Sequence, residues 1–176
     1  AKNTIKTYID AFDDLMDIQA CPVEEDERPY KNGWQNGTGR INVADIDGDG
    51  KMNAVYVSGK FLYALNDDWT QKWRIVVNEE TSGYTGCTMF DFNGDGQSEI
   101  VYRDEKFIYI IYGDGTVGTS QKCVSRTNRE FPIVADLNND GESEICVTCS
   151  DNDELSDADF CKDTGLQGKS VVRAFR

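Results

Sequence analysis

The feature that most limits what this chain can become is an acidic string that returns three times at an almost constant interval. Val43-Ala44-Asp45-Ile46-Asp47-Gly48-Asp49-Gly50 is matched by Met89-Phe90-Asp91-Phe92-Asn93-Gly94-Asp95-Gly96 and again by Val134-Ala135-Asp136-Leu137-Asn138-Asn139-Asp140-Gly141, with offsets of 46 and 45 residues. The first two copies keep step well beyond the string: Val55-Tyr56 falls on Val101-Tyr102, Phe61 on Phe107, Tyr63 on Tyr109, Asp68 on Asp114 and Thr70 on Thr116. A sustained period of this size marks a stack of supersecondary units, each of which buries its apolar faces only against its neighbours.

Within a unit the pattern is apolar run, acidic loop, apolar run, turn, apolar run, turn, apolar run, which predicts four short antiparallel strands. In the first unit these fall at 41–45, 54–58, 61–65 and 72–77. In the second, residues 106–112 are apolar on both alternating faces, so both sides of that strand are covered. The expectation is an all-β fold of β-propeller-type blades. Residues 1–40 are expected to form an N-terminal segment, with 4–12 ending a preceding blade and 21–39 a polar loop. Blades follow at 41–86, 87–131 and 132–176, the last interrupted by a polar insertion at 150–169. Propeller rings need about 4 to 8 blades. Three recognisable blades therefore make a partial propeller, completed by neighbouring sequence or by partner chains.

The acidic loops carry the chemistry. A hard cation such as Ca²⁺ takes 6 to 8 oxygen ligands, which a loop supplies by placing carboxylates at alternate positions around a glycine turn. In the first loop Asp45, Asp47 and Asp49 stand at positions 1, 3 and 5, with the Lys51 carbonyl at 7 and Asn53 at 9. The second offers Asp91, Asn93, Asp95, the Gln97 carbonyl and Glu99; the third offers Asp136, Asn138, Asp140, the Glu142 carbonyl and Glu144. An EF-hand opens in the same way but closes with a bidentate Glu at position 12 and runs into a helix. Here position 12 is Tyr56, Tyr102 or Val147, and β-branched and aromatic residues follow, so the loops are expected to join strands. Ordinary polar turns stabilised by side-chain hydrogen bonds are the alternative, but clustered carboxylates repel one another unless a cation intervenes. Three bound Ca²⁺ ions, structural in role, would bring the formal charge from −14 to −8.

Over residues 41–149 the units resemble the FG-GAP/VCBS repeats of integrin-α-type β-propellers and of many bacterial surface proteins. The resemblance rests on the acidic loop pattern beside hydrophobic strands, and the run Val171–Arg176 also resembles a blade strand of such proteins. It implies a ring of about seven blades, with Ca²⁺ held in the hairpin between the first two strands of a blade. Position 9 is often Asp in that family, where this chain has Asn53, Glu99 and Glu144. The Phe-Gly and Gly-Ala-Pro signature is missing, which argues against an integrin proper.

Composition narrows the function. With 18 Lys+Arg against 32 Asp+Glu and no local basic patch, nucleic acid and anionic lipid are poor partners. No run approaches the roughly 20 apolar residues of a membrane-spanning helix. The chain has no His, which removes Ser-His-Asp and Cys-His catalysis. The six cysteines (Cys21, Cys87, Cys123, Cys146, Cys149 and Cys161) lack zinc-site spacing and suggest disulfides in an oxidising compartment. Asn36-Gly37-Thr38 is a glycosylation sequon. Glu24 to Glu27 reads as a solvated acidic run, and Trp34, Trp69 and Trp73 read as packing between blades, with a sugar-stacking platform as the alternative. Asp151-Asn152-Asp153-Glu154 lacks a glycine turn and reads as an exposed loop. The leading expectation is a secreted or cell-surface, non-enzymatic module for adhesion or for protein or glycan binding. Its rivals are a subunit that assembles with copies of itself into a fibre or surface layer, and a fragment of a Ca²⁺-dependent polysaccharide lyase.

Overall fold

The computed structural model describes residues 39–79, 85–125, 130–151 and 170–176. The expected end of a preceding blade, Cys21, the Glu24 to Glu27 run, Trp34, Asn36 and Cys161 lie outside the described residues. The described chain is all-β, with antiparallel strands in three sheets. The first sheet is a meander of β1 (Asn42–Ala44), β2 (Asn53–Ser58), β3 (Phe61–Leu65) and β4 (Gln71–Val76). The second repeats it with β5 (Cys87–Phe90), β6 (Glu99–Arg103), β7 (Phe107–Ile111) and β8 (Val117–Lys122). In the third, β9 (Ile133–Ala135) and β11 (Ser170–Phe175) flank β10 (Glu144–Ser150). Four strands per unit thus holds for the first two sheets, while the third shows three among the described residues. There β11 pairs with β10 from Ile145↔Phe175 to Ser150↔Ser170, the place that β3 takes beside β2. The final apolar run is a blade strand, as its sequence suggested.

The central strands of the second sheet carry apolar residues on both faces because each face meets another sheet. Val55, Val57, Leu62 and Ala64 of the first sheet cluster with Ile100, Tyr102 and Ile111 of the second. Val101 and Ile108, on the opposite face of that second sheet, cluster with Ile145, Val147 and Cys149 of the third. Each fully buried aliphatic side chain of this kind stabilises the fold by about 1.5–3 kcal/mol. The outer strands need no such pattern: β8 is Val-Gly-Thr-Ser-Gln-Lys and is exposed almost throughout.

The repeat extends to details that sequence alignment hints at only by identity. Tyr56 stacks on Tyr63 with ring centroids 5.2 Å apart, and Tyr102 stacks on Tyr109 at 6.4 Å. The pairing of the third and fourth strands slips at Ala64/Leu65 and again at Ile110/Ile111. The turn that follows is closed in each case by an aspartate accepting a threonine N–H, Asp68 from Thr70 at 3.0 Å and Asp114 from Thr116 at 2.8 Å. Those bonds hold both carboxyls below their ordinary range, by the Thr70 side chain and then its N–H for Asp68 and by the Thr116 N–H first for Asp114. Of the tryptophans, Trp73 bridges the first two sheets by donating Nε1–H to the Gly113 carbonyl at 2.8 Å, whereas Trp69 stands exposed on a turn.

Candidate metal centres

Each acidic string occupies the hairpin between the first two strands of its sheet, β1–β2, β5–β6 and β9–β10. Strands and not helices follow, so the EF-hand alternative is excluded by geometry. Positions 4 and 6 adopt left-handed backbone in all three loops, at Gly48 and Gly50, Gly94 and Gly96, and Asn139 and Gly141. Asparagine tolerates that region better than most residues, which explains how Asn139 can stand where the other loops have glycine.

The position-1 carboxylate draws the loop around itself. Asp45 accepts N–H bonds from Asp47 at 3.2 Å, Gly48 at 2.7 Å and Gly50 at 2.8 Å. Asp91 accepts from Gly94, Asp95 and Gly96, and Asp136 from Asp140 and Gly141. Burial pushes the Asp45 carboxyl up, but the N–H groups of Gly50, Gly48 and Asp47 together outweigh it and hold the group below its ordinary range. The position-5 carboxylate takes the N–H of position 7: Asp49 from Lys51 at 2.8 Å, Asp95 from Gln97 at 2.8 Å and Asp140 from Glu142 at 2.9 Å. The Glu142 N–H first, with Asn138 and Arg176 adding to it, keeps the Asp140 carboxyl low.

At position 7 the side chains have other employment. Lys51 pairs with Asp67 at 2.9 Å, Gln97 packs over Gly48, and Glu142 accepts from Arg176 at 3.0 Å. That leaves the backbone carbonyl as the group position 7 can offer a cation.

Position 9 has a function that spacing did not show. Its side-chain oxygen accepts the N–H of position 2 in every loop: Asn53 from Ile46 at 3.1 Å, Glu99 from Phe92 at 3.0 Å, Glu144 from Leu137 at 2.9 Å. All three residues are buried. Position 9 is therefore a latch across the base of the hairpin. A glutamate latch still has a second oxygen to offer, whereas the single Asn53 oxygen is already engaged and its amide donates to Leu65 O at 3.3 Å.

This difference is balanced within each loop. Loop 2 has carboxylates at Asp91, Asp95 and Glu99, and loop 3 at Asp136, Asp140 and Glu144, each with asparagine at position 3. Loop 1 has asparagine at position 9 and its third carboxylate, Asp47, at position 3. Every loop thus holds three carboxylates at positions 1, 3, 5 or 9, although only those of loop 1 converge among the described residues. In loop 1 oxygens of Asp45, Asp47 and Asp49 all lie within 4.8 Å of one another. Among the described residues, the buried carboxylate oxygens without a hydrogen-bond partner are Asp47 Oδ1 and Glu144 Oε1, the displaced third carboxylates of loops 1 and 3. A buried carboxylate oxygen with no hydrogen-bond partner is costly, and a divalent cation is one group that satisfies it. The residues present therefore fit Ca²⁺. Two basic side chains supply part of the countercharge: Lys72 reaches Asp47 at 2.5 Å, and Arg176 at the end of β11 binds Asp140.

The loops also lock neighbouring blades together. The Asp45 carbonyl accepts the Ser98 N–H of the second loop at 2.8 Å, and the Ile46 backbone lies against Gly113 in the β7–β8 turn. Asn93, Asp95, Gln97 and Glu99 line a cavity of about 290 Å³ with Ile46, Tyr112 and Asp114.

A family model described as FG-GAP-like repeat matches the chain twice, over residues 45–102 and 91–147. No curated protein shows significant similarity. Among solved structures, the biofilm matrix protein Bap1 of V. cholerae superimposes with a TM-score of 0.57 at 22% identity, over 69% of this chain and 19% of that one. The chain thus spans about a fifth of that protein's length, and the likeness is one of fold.

Proposed function

This chain belongs to the FG-GAP-like repeat family, and from that premise we propose that it is a Ca²⁺-stabilised extracellular or cell-surface module whose blades present loops to a protein or glycan partner. The observation that carries the cation is the pair of buried, unpartnered carboxylate oxygens, Asp47 Oδ1 and Glu144 Oε1, each in a loop of three carboxylates. The ligands would be the carboxylate or amide oxygens at positions 1, 3 and 5, the carbonyl of Lys51, Gln97 or Glu142, and the second oxygen of Glu99 and Glu144. The ion supplies charge neutralisation and rigidity, and the chain's own N–H groups hold the carboxylates in place before it arrives.

Rigid blades suit presentation of a binding surface because a scaffold that does not move leaves less entropy to be lost on association. The lack of His and the use of the carboxylates at positions 1 and 5 in hairpin closure support a non-enzymatic role. Location outside the cell agrees with millimolar Ca²⁺ there, which weak loops of this kind need for occupancy. Isothermal titration of the metal-free chain with Ca²⁺ tests the reading: about three sites of roughly 10⁻⁴ M affinity are expected, and absence of binding at millimolar Ca²⁺ would refute it.

A second reading, self-assembly into an extracellular matrix, draws support from the matrix-protein neighbour and from exposed apolar residues on strands at the edges of the described sheets, Val76 at 74% and Val172 at 72%. Sedimentation in Ca²⁺ separates the two, since a monomer across the accessible concentration range opposes self-assembly.

A further inference from the structure

The four cysteines among the described residues, Cys87, Cys123, Cys146 and Cys149, are all free thiols here, yet they are not equivalent. We propose that Cys123 and Cys149 are a disulfide-forming pair that ties the second blade to the third. Cys123 lies just beyond β8, held by its N–H to the Lys106 carbonyl at 2.8 Å. Cys149 lies on β10 of the next sheet, opposite Val171 of β11. Both are buried in the same core cluster, at 0% and 3% exposure. Their immediate neighbours are joined by a backbone bond, Ser150 N–H to Val124 O at 2.7 Å, which brings the two chain segments within the span a disulfide bridges.

The other cysteines lack these conditions. Cys146 is three residues from Cys149 on one strand, so the two side chains point to opposite faces and the C-x-x-C cannot close on itself. Cys87 belongs to the cluster between the first and second sheets, where its sulfur accepts from Asn42 Nδ2 at 3.3 Å.

Burial decides when the bond forms. In the folded chain Cys123 is pushed up to about 12, by burial first and then by the adjacent Cys149 thiol. The thiolate is the nucleophile, so the folded, reduced pair reacts slowly. Oxidation therefore belongs to folding in a compartment that supplies a small-molecule disulfide such as oxidised glutathione. One cysteine thiolate attacks that disulfide, forming a mixed disulfide and releasing one small thiol. The second attacks the mixed disulfide at the protein sulfur and releases the other. Two protein thiols lose their hydrogens and one small-molecule disulfide is reduced to two thiols. The bond closes the segment that contains the whole third acidic loop, Asp136 to Glu144, so it would restrain that hairpin in the unfolded chain as well.

The test is oxidative refolding of the denatured, reduced full chain in a glutathione redox buffer with Ca²⁺, followed by isolation of the folded fraction and peptide mapping without reduction. The expected result is a peptide beginning at Cys123 linked to Cys149, and a melting temperature that falls by roughly 5–10 °C on reduction. The double variant C123S/C149S should show no such loss. Cys123 recovered as a free thiol, or joined to any cysteine other than Cys149, overturns the proposal. So does a shift on reduction that persists in the double variant. The inference stands apart from the Ca²⁺ reading, because peptide mapping reports the bond whether or not the loops bind metal.

Discussion

Gly113→Ala is expected to be among the most damaging small substitutions in the protein, although Gly113 lies far in sequence from what it touches. A methyl group at Gly113 would overlap the Ile46 carbonyl oxygen and stand 2.6 Å from its carbonyl carbon. Carbon atoms sit comfortably at about 3.5–4.0 Å, so the turn and the first acidic loop must part by about 1 Å. Two bonds stand in the way of that movement: Trp73 Nε1–H to Gly113 O and Ser98 N–H to Asp45 O, both 2.8 Å. Overpacking costs about 1–3 kcal/mol and each lost hydrogen bond about 1 kcal/mol, giving roughly 3–5 kcal/mol. For a chain of this size that corresponds to a melting temperature lower by roughly 6–20 °C. Thermal unfolding followed by far-UV circular dichroism in Ca²⁺ measures it. Ca²⁺ binding should weaken as well, because Ile46 is position 2 of the first loop and is held by the Asn53 latch. A variant that melts within about 2 °C of the parent and binds Ca²⁺ unchanged would refute the blade-to-blade contact.

Chelation should destabilise the chain generally. At ~1 mM Ca²⁺ and ~10⁻⁴ M affinity each site contributes about 1.4 kcal/mol. Three sites contribute about 4 kcal/mol, so excess EDTA is expected to lower the melting temperature by roughly 8–16 °C; an unchanged curve would contradict occupied loops. Glu144→Gln is expected to act with opposite signs in the two conditions. It removes a buried unpaired carboxylate oxygen, so the metal-free form should gain about 1 kcal/mol, while Ca²⁺ affinity at that loop should fall about tenfold or more, read by denaturant melts and calorimetry. Burial pushes the Cys87 thiol up from 9.0 to about 12, the Asn42 amide opposing only in part. The folded chain therefore keeps that proton where the unfolded chain loses it, and stability should decline as pH rises from 9 towards 12, by up to about 4 kcal/mol. Cys87→Ala should lose this share of the alkaline slope. The carboxyls of Asp68 and Asp114 are held low by their threonines, so the two turns should keep their full contribution above about pH 4 and lose it as pH falls further. Asp68→Asn with Asp114→Asn should flatten the acid limb of the unfolding profile.

Much of the architecture was legible because it is written locally. Alternating apolar runs fix strand period, Asp-x-Asp-x-Asp-Gly fixes a hairpin that can hold a hard cation, and the interval between copies fixes the blade. Residues 61–65 were expected as a strand and are β3 without adjustment. The equivalence of Asp68 with Asp114 and Thr70 with Thr116 proved to be one turn-closing bond used twice. The cysteine content suggested an oxidising compartment but left the partners open.

What the order of residues could not give is anything that depends on which distant segments meet. Position 9 looked like a ligand from its spacing, yet its latch onto position 2 exists only once the hairpin is closed and buried. Gly113 looked like ordinary turn glycine; only the stacking of the second blade on the first makes any side chain there collide with Ile46. Cys123 and Cys149 become neighbours across two sheets through a backbone bond between residues that sequence does not associate. The reason is the same in each instance: backbone dihedrals and side-chain period are properties of adjacent residues, whereas burial and contact across blades arise from the packed stack as a whole.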